Sequence, residues 1–325
     1  MVKTGDEMKK VLVTGAVGMV GRYLVKKCVD RGYFVRATDI RDNDVFATIS
    51  ESHQEQFELV KADLRNFSEC KEVVKDIDVV FQVAGVKGST QRASQEPNDY
   101  FTPMLQFNTN MAEAARLEEV EWYVYTSSVG VYSPADYFVE DDVWKTFPSE
   151  NDWFAGWAKR IGELQGECYK VHYGLDNFSV VRPANVYGRG DNFEDGKAMV
   201  VPSIVKRICD GESPLVSWGD GTPIRDFIHA SDVADGILLC YDKKITEPIN
   251  LGSGNGITIR ELVETIVKVH GKNVEITWDT NKPNGDRIRL MNMERAKSYG
   301  FENKISLEDG IKELMDYYMS LDSGV

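Results

Sequence analysis

Short apolar, β-branched runs alternate along the chain with longer stretches in which apolar residues recur every three or four positions. The runs are Lys10–Gly15 (KVLVTG), Phe34–Ile40 (FVRATDI), Phe57–Asp63 (FELVKAD), Asp78–Gly85 (DVVFQVAG), Trp122–Ser128 (WYVYTSS), Phe178–Asn185 (FSVVRPAN) and Pro248–Gly252 (PINLG). Several are apolar almost throughout, the pattern of strands covered on both faces in a parallel sheet. Between them the spacing predicts helices over Met19–Asp30, closed by Gly32, over Tyr100–Leu117, and over Trp153–Tyr173 with Gly174 behind it. Such alternation predicts a doubly wound α/β domain. After Asn185 the pattern changes: residues 186–229 are rich in Gly, Asp and Pro, and 254–325 hold two or three helices around one short strand, Val274–Trp278. The expected division is a parallel-sheet domain over 8–185, to which about 230–253 cross back, and a smaller mixed α/β substrate-binding cap from 186–229 and 254–325.

Thr14–Gly21 (TGAVGMVG) follows the first apolar run and opens the first helix through Met19 and Val20. Gly15 permits the tight turn, Gly18 lets the backbone approach a pyrophosphate, and Gly21 lets helix and strand pack closely, the Rossmann dinucleotide arrangement. The helix N-terminus adds free N–H groups and a positive dipole end. The next strand ends at Asp39, eighteen residues after Gly21, where a carboxylate accepts from ribose hydroxyls and repels a 2′-phosphate. NAD is therefore expected over NADP, with Ile40 beside it and Arg41 softening the preference. A plain turn residue is the competing role for Asp39. Asp63 and Leu64 end the third strand beside the expected adenine, and Val83, Ala84 and Gly85 end the fourth with space for the cofactor.

The 325 residues carry a formal charge of −14, which disfavours a nucleic-acid partner, since phosphate contacts need a basic face. No apolar run approaches a membrane span. The first ten residues are polar and lack the apolar core of a secretory signal. Five scattered cysteines without a C-x-x-C pair predict neither disulfides nor a metal site, and a cytoplasmic protein is expected.

Further pieces bear a resemblance: YTSSVGVY at 125–132, AGWAKR at 155–160, VRPANVYG at 181–188, WGDGTPIRDFIHASDVA at 218–234 and NLGSG at 250–254. With the glycine loop they resemble, in order and over almost the whole chain, the extended short-chain dehydrogenase/reductases that act on nucleotide sugars. VYGRGDNF (186–193), WGDGTPIRDFIH (218–229) and WDTNKPNGD (278–286) look most like the GDP-fucose synthase branch. The resemblance implies hydride transfer at a sugar carbon: a Ser or Thr holds the hydroxyl, a Tyr exchanges its proton, and a Lys four residues after the Tyr binds the nicotinamide ribose. Ser128 and Lys159 fit the first and last roles, and Thr126 and Pro183 fall along the cofactor. At the tyrosine position stands Ala155. Either Ala155 is a substitution that removes the acid/base, or it belongs to a branch that deprotonates its substrate otherwise.

Other family acids and bases are also replaced: Val129 and Gly130 follow Ser128, and Gly190 stands where the branch carries a His. Elimination and C3/C5 epimerisation lose their catalysts, and redox at one carbon, C4, remains. The resemblance also implies a diphosphate site at Arg225 with Asn185, and nucleoside contacts at Trp218, Lys282 and Val201, with core or surface roles as the alternatives for Trp218 and Lys282. His229 is assigned to the domain junction rather than to chemistry. A homodimer is expected through the helices at about 100–117 and 153–173, with Met104, Phe107, Met111, Ala115, Ala158, Ile161 and Leu164 at helical spacing, or else facing the sheet. The resulting expectation is an NAD-dependent oxidoreductase acting on a nucleotide sugar, a GDP-linked hexose or heptose. A nucleotide-sugar 4-epimerase is the runner-up, and a non-catalytic NAD-binding sensor or scaffold the alternative of another class.

Overall fold

Val11, Leu12 and Val13 are each fully buried, as befits a strand walled by helices on both faces. The computed structural model describes residues 8–41, 45–282 and 284–322. Six strands come first: β1 (Lys10–Thr14), β2 (Phe34–Asp39), β3 (Phe57–Lys61), β4 (Val79–Gln82), β5 (Trp122–Thr126) and β6 (Phe178–Pro183). The chain then leaves for β7 (Asn185–Tyr187), β8 (Leu215–Trp218) and β9 (Ile224–His229), and returns for β10 (Ile249–Leu251). It leaves again for β11 (Gly256–Thr258), β12 (Ile276–Asp279) and β13 (Ile288–Arg289).

The seven-stranded sheet has the order β10-β6-β5-β4-β1-β2-β3. Its pairs are parallel throughout, and β1 lies between β2 and β4. The winding direction reverses there, so the C-terminal ends of β1 and β4 open a crevice, the usual ligand position in such sheets. One apolar core, with Leu24, Val25, Val233 and Ile237, lies under the helices Met19–Asp30 and Ala230–Lys243. A second, with Met104, Met111, Ala158 and Tyr169, lies under Asn98–Leu117 and Trp153–Tyr173. A third core joins the helices Val200–Cys209, Ile259–His270 and Leu307–Asp322 around Val205, Leu262, Ile266 and Ile311. Around it lie the small sheet β11-β9-β13, with β7 also on β9, and the β8–β12 pair.

Both helix ends read from the sequence are found, with Gly32 at φ +75° and Gly174 at φ +70°. Two expectations need correction, and one choice left open is decided. The cap strand begins at Ile276 rather than at 274. Asn185 does not end the sixth strand: β6 stops at Pro183, the Ala184 N–H donates to the Leu251 carbonyl at 2.8 Å, and Asn185 opens β7 in the other sheet. Met104, Phe107, Met111, Ala115 and Ala158 are buried in the core beneath the helices and so face the sheet rather than a partner. Between the exposed Trp153 and Phe154 at its start and the exposed Tyr173 at its end, the helix Trp153–Tyr173 turns outward Leu164 and Val171, 52% and 85% exposed, with the exposed Cys168 between them. No helix among the described residues is long and apolar enough to cross a membrane.

Candidate active site

The crevice is shaped first by Thr14. Its hydroxyl donates to Gln82 Oε1 at 2.8 Å and accepts the N–H groups of Val83 (3.0 Å) and Ala84 (3.1 Å), locking the end of β1 to the end of β4. Gly15 sits at φ +59°, and a methyl group there would stand 2.7 Å from Ala84 Cα. One on Gly21 would overlap the Gly15 carbonyl oxygen. These two positions need glycine for the reasons read from the sequence: a left-handed turn and a close helix–strand approach. Met19 begins the helix and Val20 is buried beneath it. Gly85 is exposed on the open stretch after β4.

Asp39 is 6% exposed and already engaged. Its carboxylate accepts the Val17 N–H (3.2 Å), the Arg41 N–H (3.1 Å), and Arg41 Nε and Nη2 at 3.0 and 3.2 Å. The Arg41 guanidinium lies 3.9 Å from where a Gly18 side chain would begin, so it folds back over the glycine loop. Ile40 beside it is 51% exposed. Asp63 is held by a bidentate fork from Arg65 at 2.6–3.0 Å, which keeps its carboxyl below the usual range, while Leu64 is buried.

Across the crevice, the Lys159 ammonium donates to the Thr126 carbonyl at 2.7 Å and stands 5.3 Å from the Tyr125 ring centre. A methyl on Gly85 would lie 4.0 Å from it, so Lys159 looks from β5 toward the mouth at β4. Burial pushes its pKa down to about 8. The Thr126 hydroxyl is buried without a partner, and Pro183 ends β6 next to β5. Behind them the Glu163 carboxylate accepts from Ser127 Oγ (2.5 Å) and from Arg182 Nε and Nη2 (3.0 and 2.7 Å), a sealed pair that fixes the helix against β5 and β6.

Ser128 Oγ accepts the Gly130 N–H at 3.1 Å, which leaves its proton free to be donated. The carbonyl of Gly130 presses on Gly156 so closely that any side chain there would overlap it, and the helix that carries Ala155 and Lys159 is thereby set against the Ser128 turn. Ala155 is half-buried in the first turn of that helix. A residue that sequence reasoning missed lies here as well. Asp152 Cγ is 3.4 Å, and Ser128 Oγ 3.5 Å, from the position of a methyl on Gly130. The Asp152 carboxylate pairs with Arg289 at 2.5 Å.

Arg289 also pairs with Asp286, which accepts from Ser149 Oγ (3.0 Å) and Asn151 Nδ2 (2.7 Å). Beside this closed network sits Arg225. Its Nη1 donates to the Ile224 carbonyl at 2.8 Å, and among the described residues no carboxylate oxygen comes within 4.0 Å of it. Burial and the neighbouring Arg289 push it down to about 10. It is a half-buried cation that lacks an anion. Gly285 approaches Arg225 Nη2, and Asn284 Oδ1 accepts the Asp220 N–H at 3.1 Å. The loop that carries Lys282 is thus joined to the one that follows Trp218. Trp218 is 52% exposed, with Lys282 Nζ 5.1 Å from its ring centre, so neither residue is buried filler.

Two expected substrate contacts are placed differently. The Val201 side chain is 2% exposed in the cap core, where the strongly one-sided helix Val200–Cys209 buries it. The Asn185 amide donates to the Asp226 carbonyl at 2.8 Å and serves the β7–β9 junction. His229 caps the helix Ala230–Lys243, and its Nε2 lies 3.0 Å from Glu313, which accepts from Tyr23 at 2.6 Å. That is the junction role expected of it. Gly190 is at φ +84°, a backbone conformation that L side chains rarely adopt, with the Arg22 guanidinium packed on it. Among the described residues no group of His, Cys, Asp and Glu could hold a metal ion.

The model of the NAD dependent epimerase/dehydratase family matches residues 11–252. A GDP-L-fucose synthase 1 from Arabidopsis thaliana is 30% identical over 97% of this chain and 94% of its own length. The structure of a UDP-N-acetylglucosamine 4-epimerase from Methanobrevibacter ruminantium superposes with a TM-score of 0.85 at 24% identity, covering 97% of this chain and all of that one. A GDP-6-OMe-4-keto-L-xylo-heptose reductase from C. jejuni does so with 0.81 at 22%, covering 98% and 100%.

Proposed function

The chain belongs to the NAD-dependent epimerase/dehydratase family, and from that premise we propose that it moves hydride at C4 of a nucleotide sugar, a GDP-linked hexose or heptose. The observation that carries this reading is one juxtaposition: Ser128 and Lys159 at the mouth between β4 and β5, with the unpaired Arg225 across from them beyond Asp152 and Arg289. The glycine cradle, which a Cβ would fill, and the orphaned Thr126 hydroxyl suit NAD. Bound there, NAD supplies the hydride acceptor. Ser128 donates to the reacting oxygen, Lys159 holds the ribose side, and Arg225 takes the diphosphate through its planar fork. Trp218 offers an exposed indole face to the base, and Lys282 a charge next to it. A sensor of NAD alone would need no such diphosphate clamp.

Preference for GDP rests on the Arabidopsis relative, named as a GDP-sugar enzyme. The substitutions Val129, Gly130 and Gly190, the last covered by Arg22, favour redox at one carbon over inversion at several. The assay is nicotinamide absorbance with GDP-linked and UDP-linked hexoses and their 4-keto forms. Turnover is expected with the GDP-linked set and NAD, and faster turnover with UDP-sugars would remove the GDP assignment.

Asp39→Ala is expected to weaken NAD by roughly ten- to a hundredfold, since hydrogen bonds to a charged group contribute about 1.5–3 kcal/mol. The same change frees the Arg41 guanidinium, which now forks onto Asp39, to meet a 2′-phosphate. The ratio of NADP to NAD affinity should therefore rise. Equal losses for both cofactors in titration calorimetry would take Asp39 out of the ribose site.

A homodimer is proposed on the helix Trp153–Tyr173 through its exposed stripe Leu164, Cys168 and Val171, of which Leu164 alone is among the residues first expected. Leu164→Asp should yield a monomer by light scattering, and a monomeric wild-type protein at micromolar concentration would end the proposal. Five free thiols, three of them buried, suit the cytoplasm as the working compartment.

A further inference from the structure

We propose that Lys159 itself accepts the proton of the reacting hydroxyl, in the space that a tyrosine ring at position 155 would occupy. This rests on the hydride-transfer reading above and names the base that reading lacks. Lys159 Nζ has one hydrogen-bond partner among the described residues, the Thr126 carbonyl, and faces the open stretch at Gly85. Ala155, one helical turn before it, puts a single methyl group where a family tyrosine would stand.

The groups around the amine leave its proton poorly held. Glu163, one turn further along, is the nearest acid, and both its oxygens are taken by Ser127 and Arg182. From β5 the amine meets the Tyr125 ring and Thr126, past the end of β4 it stands near Gly85, and Arg182 of β6 is a second cation on the far side of Glu163. With a pKa of about 8 it is an ammonium below that pH and a free base above it. The other acid near Ser128, Asp152, is tied to Arg289 by an ion pair at 2.5 Å. A buried lysine whose ammonium lacks a carboxylate partner is a recognised route to a general base.

In oxidation the carbinol O–H proton passes to Nζ and the O–H electron pair becomes the second C–O bond. The C–H pair leaves as hydride to the nicotinamide, and Lys159 ends as ammonium. In reduction every transfer reverses.

Three measurements decide. Oxidation by the wild-type protein should rise about tenfold per pH unit below about pH 8 and level off above it, the behaviour of one group that must be deprotonated. A flat profile from pH 6 to 9 overturns the inference. Lys159→Ala should be slow and should regain at least tenfold with small primary amines, more with the more basic ones. Retained turnover, or a rate indifferent to amine basicity, overturns the inference and leaves hydride transfer standing. Independently of activity, NAD⁺ binding followed by calorimetry at pH 8 in buffers of different ionisation enthalpy should release up to about half a proton from the wild-type protein and none from Lys159→Met. Equal release by both, or none by the wild type, overturns it. No turnover by the wild type with any nucleotide sugar overturns both readings.

Discussion

Arg225→Ala is expected to raise the KM for the nucleotide sugar by ~10²–10³-fold while NAD affinity stays as it is, because truncating one partner of the hydrogen-bonded charge pair that a bound diphosphate makes with it costs about 2–5 kcal/mol. The structure makes the case sharper than the sequence motif did. Arg289, close by, is neutralised by Asp152 and Asp286, whereas among the described residues Arg225 donates only to its neighbour's carbonyl and is pushed down to about 10 by burial and by Arg289. A diphosphate brings the missing anion and the acceptor atoms together. Arg225→Lys should recover part of the loss, since an ammonium supplies charge without the two parallel donors. Arg289→Ala is a useful contrast: it strands two carboxylates and should lower Tm, a loss of fold rather than of affinity alone. Steady-state kinetics separate KM from kcat, and an unchanged KM in Arg225→Ala would remove the residue from the substrate site.

What could be read in the sequence was local. Gly15 and Gly21 announce themselves because a turn and a helix packing contact a few residues away demand them, and the structure places both where a side chain would collide. Ser128, Ala155 and Lys159 were marked by the family resemblance of two pieces, and the contact of Gly156 with the Gly130 carbonyl brings that strand end and that helix together. The Asp152–Arg289 pair was not legible, since it joins a helix start to a strand in another sheet, and no periodicity carries that contact. What an apolar helix face meets stayed open for a related reason. Met104, Phe107 and Met111 recur at helical spacing whether they face the sheet or a partner, and the pattern does not say which. Val201 similarly belongs to a helix whose apolar face is obvious, but what that face meets is decided by the cap core. For Asp39 the sequence shows a carboxylate at a strand end with Arg41 nearby. Its pairing with Arg41, only two residues away, depends on backbone direction after β2, which composition does not reveal.

Ala155→Tyr is expected to raise turnover by ~10²-fold at pH 6, where about one wild-type Lys159 amine in a hundred is the free base, and by less as the pH rises. The helix start is fixed for such a residue: Gly156 lies against the Gly130 carbonyl, next to the turn that carries Ser128, and Lys159 follows one turn later on the same face. A phenol at 155 would then take over proton exchange, with the Lys159 ammonium as the neighbour that lowers its pKa. The sign of the pH dependence follows. In the wild type the active form is neutral Lys159, so oxidation is lost as pH falls through about 8. In the variant the charged lysine is the helpful form, so the gain should be greatest below that pH and shrink above it. NAD affinity should be unchanged, because the glycine loop and the Thr126–Lys159 contact are not touched. Rate profiles of both proteins from pH 6 to 9 make the comparison. A variant that binds NAD normally but is slower at every pH would mean that the ring fills space the sugar needs, and that this pocket is built for proton transfer without a tyrosine.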